Sequence, residues 1–197
     1  MILFFDTETT GLTPGHVIQL SYIMLRGENV TAKNFYFSVP FVPPDAVAVH
    51  GLTAEKLKIL SGERTFGEFL EEIDDDFRAA DLTVAHNFAF DYKFMSAEFS
   101  YYERIFHYNE SFDTMKKYTP LLKLPRVGGA GYKYPKLTEL SEFFDLYPYD
   151  ISRRSAELFK GGDLAHDARY DVTATFMAFM CAASVHPCTA EVLNEFM

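Results

Sequence analysis

Runs of apolar residues and stretches of alternation divide the chain into strands and helices. Ile2-Leu3-Phe4-Phe5 is an uninterrupted apolar run, as expected of a short strand buried on both faces. Val17–Leu25 and Val30–Val39 alternate well enough to be strands, and Arg26-Gly27-Glu28-Asn29 between them reads as a hairpin turn. After the loop Pro40–Pro44 and the segment Ala46–Gly51, Thr53 is placed to cap a helix through Leu60. Thr65 with Glu68 makes a capping box for a helix from Phe66 to about Ala79. Leu82–His86 is the next predicted strand, Asp91–Tyr102 the helix after it, and Ser111–Phe112 a short strand before Asp113. Pro120–Pro135, with Gly128, Gly129 and Gly131, reads as one long loop. Leu137–Phe144 is a predicted helix. Ala168–Ser184 is a strongly apolar one, with Val172, Phe176 and Phe179 on one stripe; Pro187 stops it and Thr189 caps a short final helix. Antiparallel strands followed by alternating helices and strands give an α/β fold with a mixed sheet rather than a doubly wound one. No repeat or interdomain linker interrupts residues 1–197, so a single domain is expected.

With 48% hydrophobic and 23% charged residues, the chain can bury a sizeable core and is not disordered. The net charge of −10 argues against a broad basic surface that holds nucleic acid by charge alone, while leaving room for clustered carboxylates that bind divalent cations. Two cysteines, Cys181 and Cys188, are too few for a disulfide framework or a sulfur-rich zinc site, and Cys181 in its apolar run reads as a buried small hydrophobe. The N-terminus lacks a basic region before its five-residue apolar stretch, and no segment approaches the roughly 18 apolar residues of a membrane span. The expectation is a soluble cytoplasmic protein in a reducing compartment.

The chemistry concentrates in acids. Asp6 and Glu8 are two apart at the end of the first strand, so both carboxylates point to one face, where they repel unless a hard divalent cation lies between them. Taken alone, such a pair is also a plain polar strand end. Asp91 follows the Leu82–His86 strand and, by itself, suits a first-turn acid complementing a helix dipole. Asp171 falls beside Val172 on the core-facing side of the apolar helix, where a lone carboxylate is costly unless paired or metal-bound. His166 is five residues earlier, which on a helix would turn through about 140°. It is therefore expected on the preceding loop, free to swing over the acids, although an isolated histidine there is more often a surface residue. Together Asp6, Glu8, Asp91 and Asp171 supply the acids of a two-metal phosphodiester site, with His166 able to take a proton from the attacking water.

The order FFDTETTGL, VAHNFAFDYKFM and HDARYDV resembles the three motifs of the DEDDh 3′→5′ exonucleases, the group typified by a polymerase proofreading subunit. AVHGLT, FDTM and KLTEL resemble further signatures of that family, and the likeness runs from Phe4 to about Phe179. It implies an RNase H-like fold, a mixed five-stranded sheet flanked by helices. It also implies two Mg²⁺ or Mn²⁺ ions held by Asp6, Glu8, Asp91 and Asp171, with His166 as general base. A tyrosine-type relative would carry Tyr four residues before the last acid. That position is Asp167, so the histidine type fits. On the substrate side, Thr9 and Leu12 resemble residues that contact the terminal nucleotide. His50 and His86 match positions close to it, and Phe90 is placed either to stack on a base or to pack in the core.

Between Asp113 and Lys136 the basic residues Lys116, Lys117, Lys123, Arg126, Lys133 and Lys136 face one acid, making this stretch the candidate guide for a phosphate backbone, with Arg153, Arg154 and Lys160 adding to it. Glu71, Glu72, Asp74, Asp75 and Asp76 read as a solvated helix end. The favoured function is removal of nucleoside 5′-monophosphates from 3′ ends, with single-stranded DNA preferred. An RNA or oligoribonucleotide exonuclease is the alternative, mildly disfavoured by the missing Trp near the first motif. An inactive nuclease-like binding domain is the third reading, which the intact set of five residues argues against. The chain ends 26 residues after Asp171, which fits a stand-alone repair or turnover nuclease better than a dedicated polymerase subunit, with polymerase association left open.

Overall fold

The computed structural model describes residues 1–160 and 166–197. Its centre is a five-stranded sheet in the order β3-β2-β1-β4-β5, formed by β1 (Ile2–Thr9), β2 (Val17–Arg26), β3 (Asn29–Tyr36), β4 (Leu82–Ala85) and β5 (Glu110–Asp113). The first three strands pair antiparallel, whereas β4 and β5 extend the sheet in parallel, as an α/β chain with a mixed sheet requires. The β1 strand runs four residues beyond its apolar stretch, so Asp6 and Glu8 belong to the strand itself.

The parity of β1 decides which layer each side chain meets. Leu3 and Phe5 enter a core shared with Leu20 and Tyr22 of β2 and with Ile73, Phe77, Phe94 and Phe99 from α3 (Leu70–Ala79) and α4 (Phe88–Tyr101). Ile2 and Phe4 enter a second core on the opposite face, against Val172, Phe176 and Phe179 of α8 (Ala168–Val185). Phe4 meets Phe176 and Phe179 edge-on, each with ring centroids 5.2 Å apart, a favoured aromatic arrangement. Period-2 alternation then puts Asp6 and Glu8 on the α8 face of the sheet and Thr7 on the α4 face.

The remaining helices are α1 (Pro44–His50), α2 (Ala54–Ser61), α5 (Thr114–Leu122), α6 (Leu137–Phe143), α7 (Pro148–Phe159) and α9 (Pro187–Phe196), with a 3₁₀ turn over Phe66–Phe69. The Thr65–Glu68 capping box forms as expected but starts that 3₁₀ turn, with α3 continuing from it. Thr53 caps α2, accepting from the Lys56 N–H. Gly51 ends α1 in the left-handed region at φ 69°, its N–H returning to the Val47 carbonyl at 2.8 Å, and this turn fixes His50 at the helix end.

Several expectations are corrected. Pro120 lies inside α5, where the Thr119 hydroxyl covers the Met115 carbonyl at 2.7 Å and the helix ends two residues later, so the loop begins only at Lys123. Residues 148–159, not assigned to an element from sequence, form α7 with Pro148 in its first turn. Pro187 begins α9 rather than merely ending α8. Thr189 is thus an interior helical residue, buried with its hydroxyl 3.3 Å from that of Tyr118. Cys181 is only half-buried, and Cys188 is exposed. The acids of α3 are not simply solvated. Asp74 is buried and pairs with Arg78 at 2.9 Å and Arg104 at 3.0 Å, and Asp76 accepts from the Tyr22 hydroxyl and from Lys33. No single described helix is long and apolar enough to cross a membrane. The pair α8 and α9 passes on composition only, with a 111° bend between them.

Candidate active site

The C-terminal half of β1 delivers Asp6 and Glu8 to the face on which α8 begins, and Asp171 projects from the first turn of that helix. One ligand oxygen from each of the three lies within 4.8 Å of the others. Glu8 is buried, and Asp6 and Asp171 are half-buried. Burial and mutual repulsion push the group toward protonation. Asp6 is raised well above the usual carboxylate range by burial first and then by Asp91, Asp171 and Glu8. Glu8 is raised to about 9 by burial and by Asp171, Asp167 and Asp91. Burial also raises Asp171, against the opposing influence of His166. Three hard oxygen donors that repel one another fit a divalent cation, whose charge removes the cause of the shift.

Asp91 comes from the opposite layer, near enough to raise Asp6 but outside the group of three converging oxygens. It stands in the first turn of α4, 3% exposed, and its Oδ1 accepts from the Thr7 N–H at 3.1 Å and the Thr7 hydroxyl at 2.7 Å. Thr7 lies between Asp6 and Glu8, so Asp91 is bound to the backbone that carries the other two. The entry to α4 depends on Asn87, whose left-handed backbone (φ 72°) turns the chain directly from β4 into the helix. Its N–H is held by Asp113 Oδ1 at 3.1 Å, and Asp113 also caps α5.

His166 lies just before α8, exposed and in the left-handed region at φ 60°, as a loop position requires. Its backbone hydrogen-bonds Asp171, and it is close enough to His50 to hold that imidazole below its usual range, after the larger effect of burial.

The expected nucleotide contacts divide. Thr9 is buried with its hydroxyl on the Gly11 carbonyl at 2.9 Å, and Leu12 stands 83% exposed, its own carbonyl held by Lys93 Nζ at 2.6 Å. His50 is half-buried, its Nδ1 accepting from the Leu52 N–H at 3.1 Å. Phe90 is half-buried, 5.0 Å from the Phe94 ring and beneath Lys93. His86 departs from the expectation. Both ring nitrogens are engaged within the protein, Nδ1 with the Thr114 hydroxyl at 3.0 Å and Nε2 with the Pro135 carbonyl at 3.1 Å. It joins β4 to α5 and to the loop before α6, and has no nitrogen left for a nucleotide.

The basic stretch is also partly committed. Lys133 pairs with Glu139, Lys116 with Asp113, Arg153 with Asp150 and Arg154 with Glu157, whereas Lys117, Lys123, Arg126, Lys136 and Lys160 have no ion pair among the described residues. A cavity of about 710 Å³ opens between α6, α7 and α8, walled by Leu137, Pro148 and Ile151 and reaching His166, Tyr170 and Asp171. Sequence reasoning missed Gln19, Asn34 and Arg169, which tie the start of α8 to the sheet. A buried Gln directly across from Glu8 was the available signal.

The family model described as Exonuclease (RNase_T) matches residues 3–179. Among curated proteins, the chain is 35% identical over 112 residues to DNA polymerase III subunit epsilon of Escherichia coli (strain K12), covering 52% of this chain and 44% of that protein. The subunits of the same name from Pasteurella multocida (strain Pm70) and Haemophilus influenzae (strain Rd) are 29% and 30% identical over 164 residues, 78% of this chain and 60% and 59% of theirs. The chain thus spans about half the length of the curated relatives it matches. Among solved structures, exonuclease X in complex with 5′-overhanging duplex DNA aligns with a TM-score of 0.60 at 18% identity, covering 94% of this chain and 93% of that one, a likeness of fold.

Proposed function

The chain belongs to the exonuclease family, and from that premise we propose that it is a divalent-cation-dependent 3′→5′ exonuclease acting on single-stranded DNA. The observation that carries this reading is the convergence of Asp6, Glu8 and Asp171 within 4.8 Å, with His166 beside them. Relatives named as subunits of a DNA polymerase support nucleic acid as substrate and association with a DNA polymerase as its setting.

In this mechanism Asp6, Glu8, Asp91 and Asp171 would hold two Mg²⁺ or Mn²⁺ ions, with Asp91 also fixing the intervening backbone through Thr7. The bound cations supply Lewis acidity at the phosphodiester and offset the charge that develops on it. A nitrogen of the His166 imidazole accepts a proton from the attacking water. The water oxygen bonds to phosphorus, the P–O3′ bond breaks with its electron pair going to O3′, which takes a proton from solvent, and the shortened strand leaves with a 3′-hydroxyl while the last residue departs as a nucleoside 5′-monophosphate. On the likeness of their motifs to the family's, Thr9, Leu12, His50 and Phe90 are the side chains that would receive that last nucleotide, with Phe90 offering a ring face to a base.

The test is a time course on 5′-labelled single-stranded DNA beside RNA of the same sequence, with Mg²⁺, with Mn²⁺ and with EDTA. The reading expects a metal-dependent ladder shortening from the 3′ end, faster on DNA. Internal cuts, shortening unaffected by EDTA, or faster loss of the RNA would each overturn the part of the reading it addresses.

A further inference from the structure

On the α8 face of the sheet, directly behind the carboxylates, polar side chains occupy positions where apolar packing would be the default. Gln19 is entirely buried and stands opposite Glu8 in the β1–β2 register. Its amide nitrogen donates to Asn34 Oδ1 at 2.8 Å and to Asp167 Oδ1 at 2.9 Å. Its amide oxygen accepts from the Ala168 N–H at 3.4 Å. Asn34 is held in turn by the Ser21 hydroxyl at 2.8 Å. From the other side Arg169 grips Asp167, donating through Nε to Oδ1 at 2.9 Å, through Nη2 to Oδ2 at 2.6 Å and through its backbone N–H at 3.0 Å. The Arg169 guanidinium also lies over the Tyr36 ring, 5.7 Å from its centroid.

This network ends one residue from His166. Asp167 is the N-cap of α8, and His166 immediately precedes it with a left-handed backbone (φ 60°). A buried amide that bonds both the side chain of residue 167 and the backbone of residue 168 fixes the start of α8 against β2 and β3. The base and Asp171, on either side of that point, then keep their places relative to Asp6 and Glu8. A capping role alone would need only the Asp167 side chain and its own helix. It would not need a buried glutamine in a central strand.

We propose that Gln19 and Asp167 are positioning residues for His166, which set where the imidazole stands over the carboxylates without touching substrate. The proposal rests on the reading of His166 as general base.

The test is a double-mutant cycle in the full chain, measuring kcat and KM on single-stranded DNA together with Mn²⁺ affinity by calorimetry. Gln19→Ala is expected to lower kcat about 10- to 100-fold, the range seen when a supporting partner of a site residue is lost, with KM and Mn²⁺ affinity within about threefold of wild type. In the His166→Ala background the same substitution should have no further effect on kcat, because its target is gone. Asp167→Asn, which keeps an acceptor for Gln19 and a cap for α8, should recover most of the rate that Asp167→Ala loses. If Gln19→Ala does not fold, Gln19→Met preserves side-chain volume and carries the same expectations. An unchanged kcat in the Gln19 variant, or equal losses in both backgrounds, would overturn the proposal while leaving the base in place. Loss of Mn²⁺ binding would also overturn it, by assigning Gln19 to the support of Glu8. Wild-type activity in His166→Ala would remove the base itself and the proposal with it.

Discussion

Thr7 shows how much of this site depends on one small side chain. Placed between Asp6 and Glu8 but facing the other layer, it gives both its N–H and its hydroxyl to a buried Asp91 oxygen. Thr7→Val keeps shape and backbone donor but removes the 2.7 Å hydroxyl bond. A hydrogen bond to a charged group contributes about 1.5–3 kcal/mol, so the variant should lose roughly that much stability in a denaturant titration and bind Mn²⁺ less tightly. Unchanged values for both would remove Thr7 from the site's support. The protonation of the acids themselves gives a second expectation. Folded and free of metal, Glu8 keeps its proton up to about pH 9 instead of 4.5, and Asp6, Asp91 and Asp171 shift in the same direction, all chiefly through burial. Between roughly pH 5 and 9 the folded chain therefore binds more protons than the unfolded one, and these groups stabilise it less as the pH rises. Cation binding requires the ionised carboxylates and releases those protons. The rise in Tm on adding saturating Mg²⁺ should accordingly grow between about pH 6 and 8.5, whereas a constant increment would argue that the acids are already ionised without metal.

At the level of elements, His86 is a structural link, each ring nitrogen engaged by a partner distant in the chain. His86→Ala should lower Tm and make residues 123–136 more sensitive to proteolysis, with little change in kcat, because it releases Thr114 and the Pro135 carbonyl. A raised KM with unchanged Tm would return it to the substrate. From sequence the residue looked like a site histidine because its motif position matched the family, and both of its partners are distant in the chain. The same reason runs through the other differences. The β strands, the capping box and the two carboxylates on one face of β1 were legible, since each is a local pattern of period or spacing. That Asp91 reaches Asp6 and Glu8 through Thr7 was not, because it needs the crossing of α4 against the end of β1. Nor was the pairing of Lys133 with Glu139, which depends on how the loop meets α6. The α7 helix was overlooked because most of its residues are polar and only Ile151 and Ser155 are buried, although its few apolar residues do share one side.

For the whole molecule, a net charge of −10 sets the terms on which it meets a polyanion. With several lysines and arginines already paired to acids, Lys123 and Arg126, on the loop after α5 and without an ion pair among the described residues, are candidates to meet a phosphate backbone. Converting both to Glu should raise KM for a long single strand several-fold and for a dinucleotide hardly at all, and should flatten the dependence of KM on salt. Equal effects on the two substrates would place the strand elsewhere. The central claim is that three carboxylates, brought together from β1 and α8, hold the cations on which cleavage depends. Asp171→Asn tests it most directly, with Mn²⁺ affinity by calorimetry, circular dichroism and the rate of 3′-end shortening measured on the same preparation. The account expects a native spectrum, markedly weakened Mn²⁺ binding and a rate reduced about a hundred- to a thousandfold, the scale of a lost electrostatic transition-state contact. Wild-type shortening from a folded Asp171→Asn protein would contradict it.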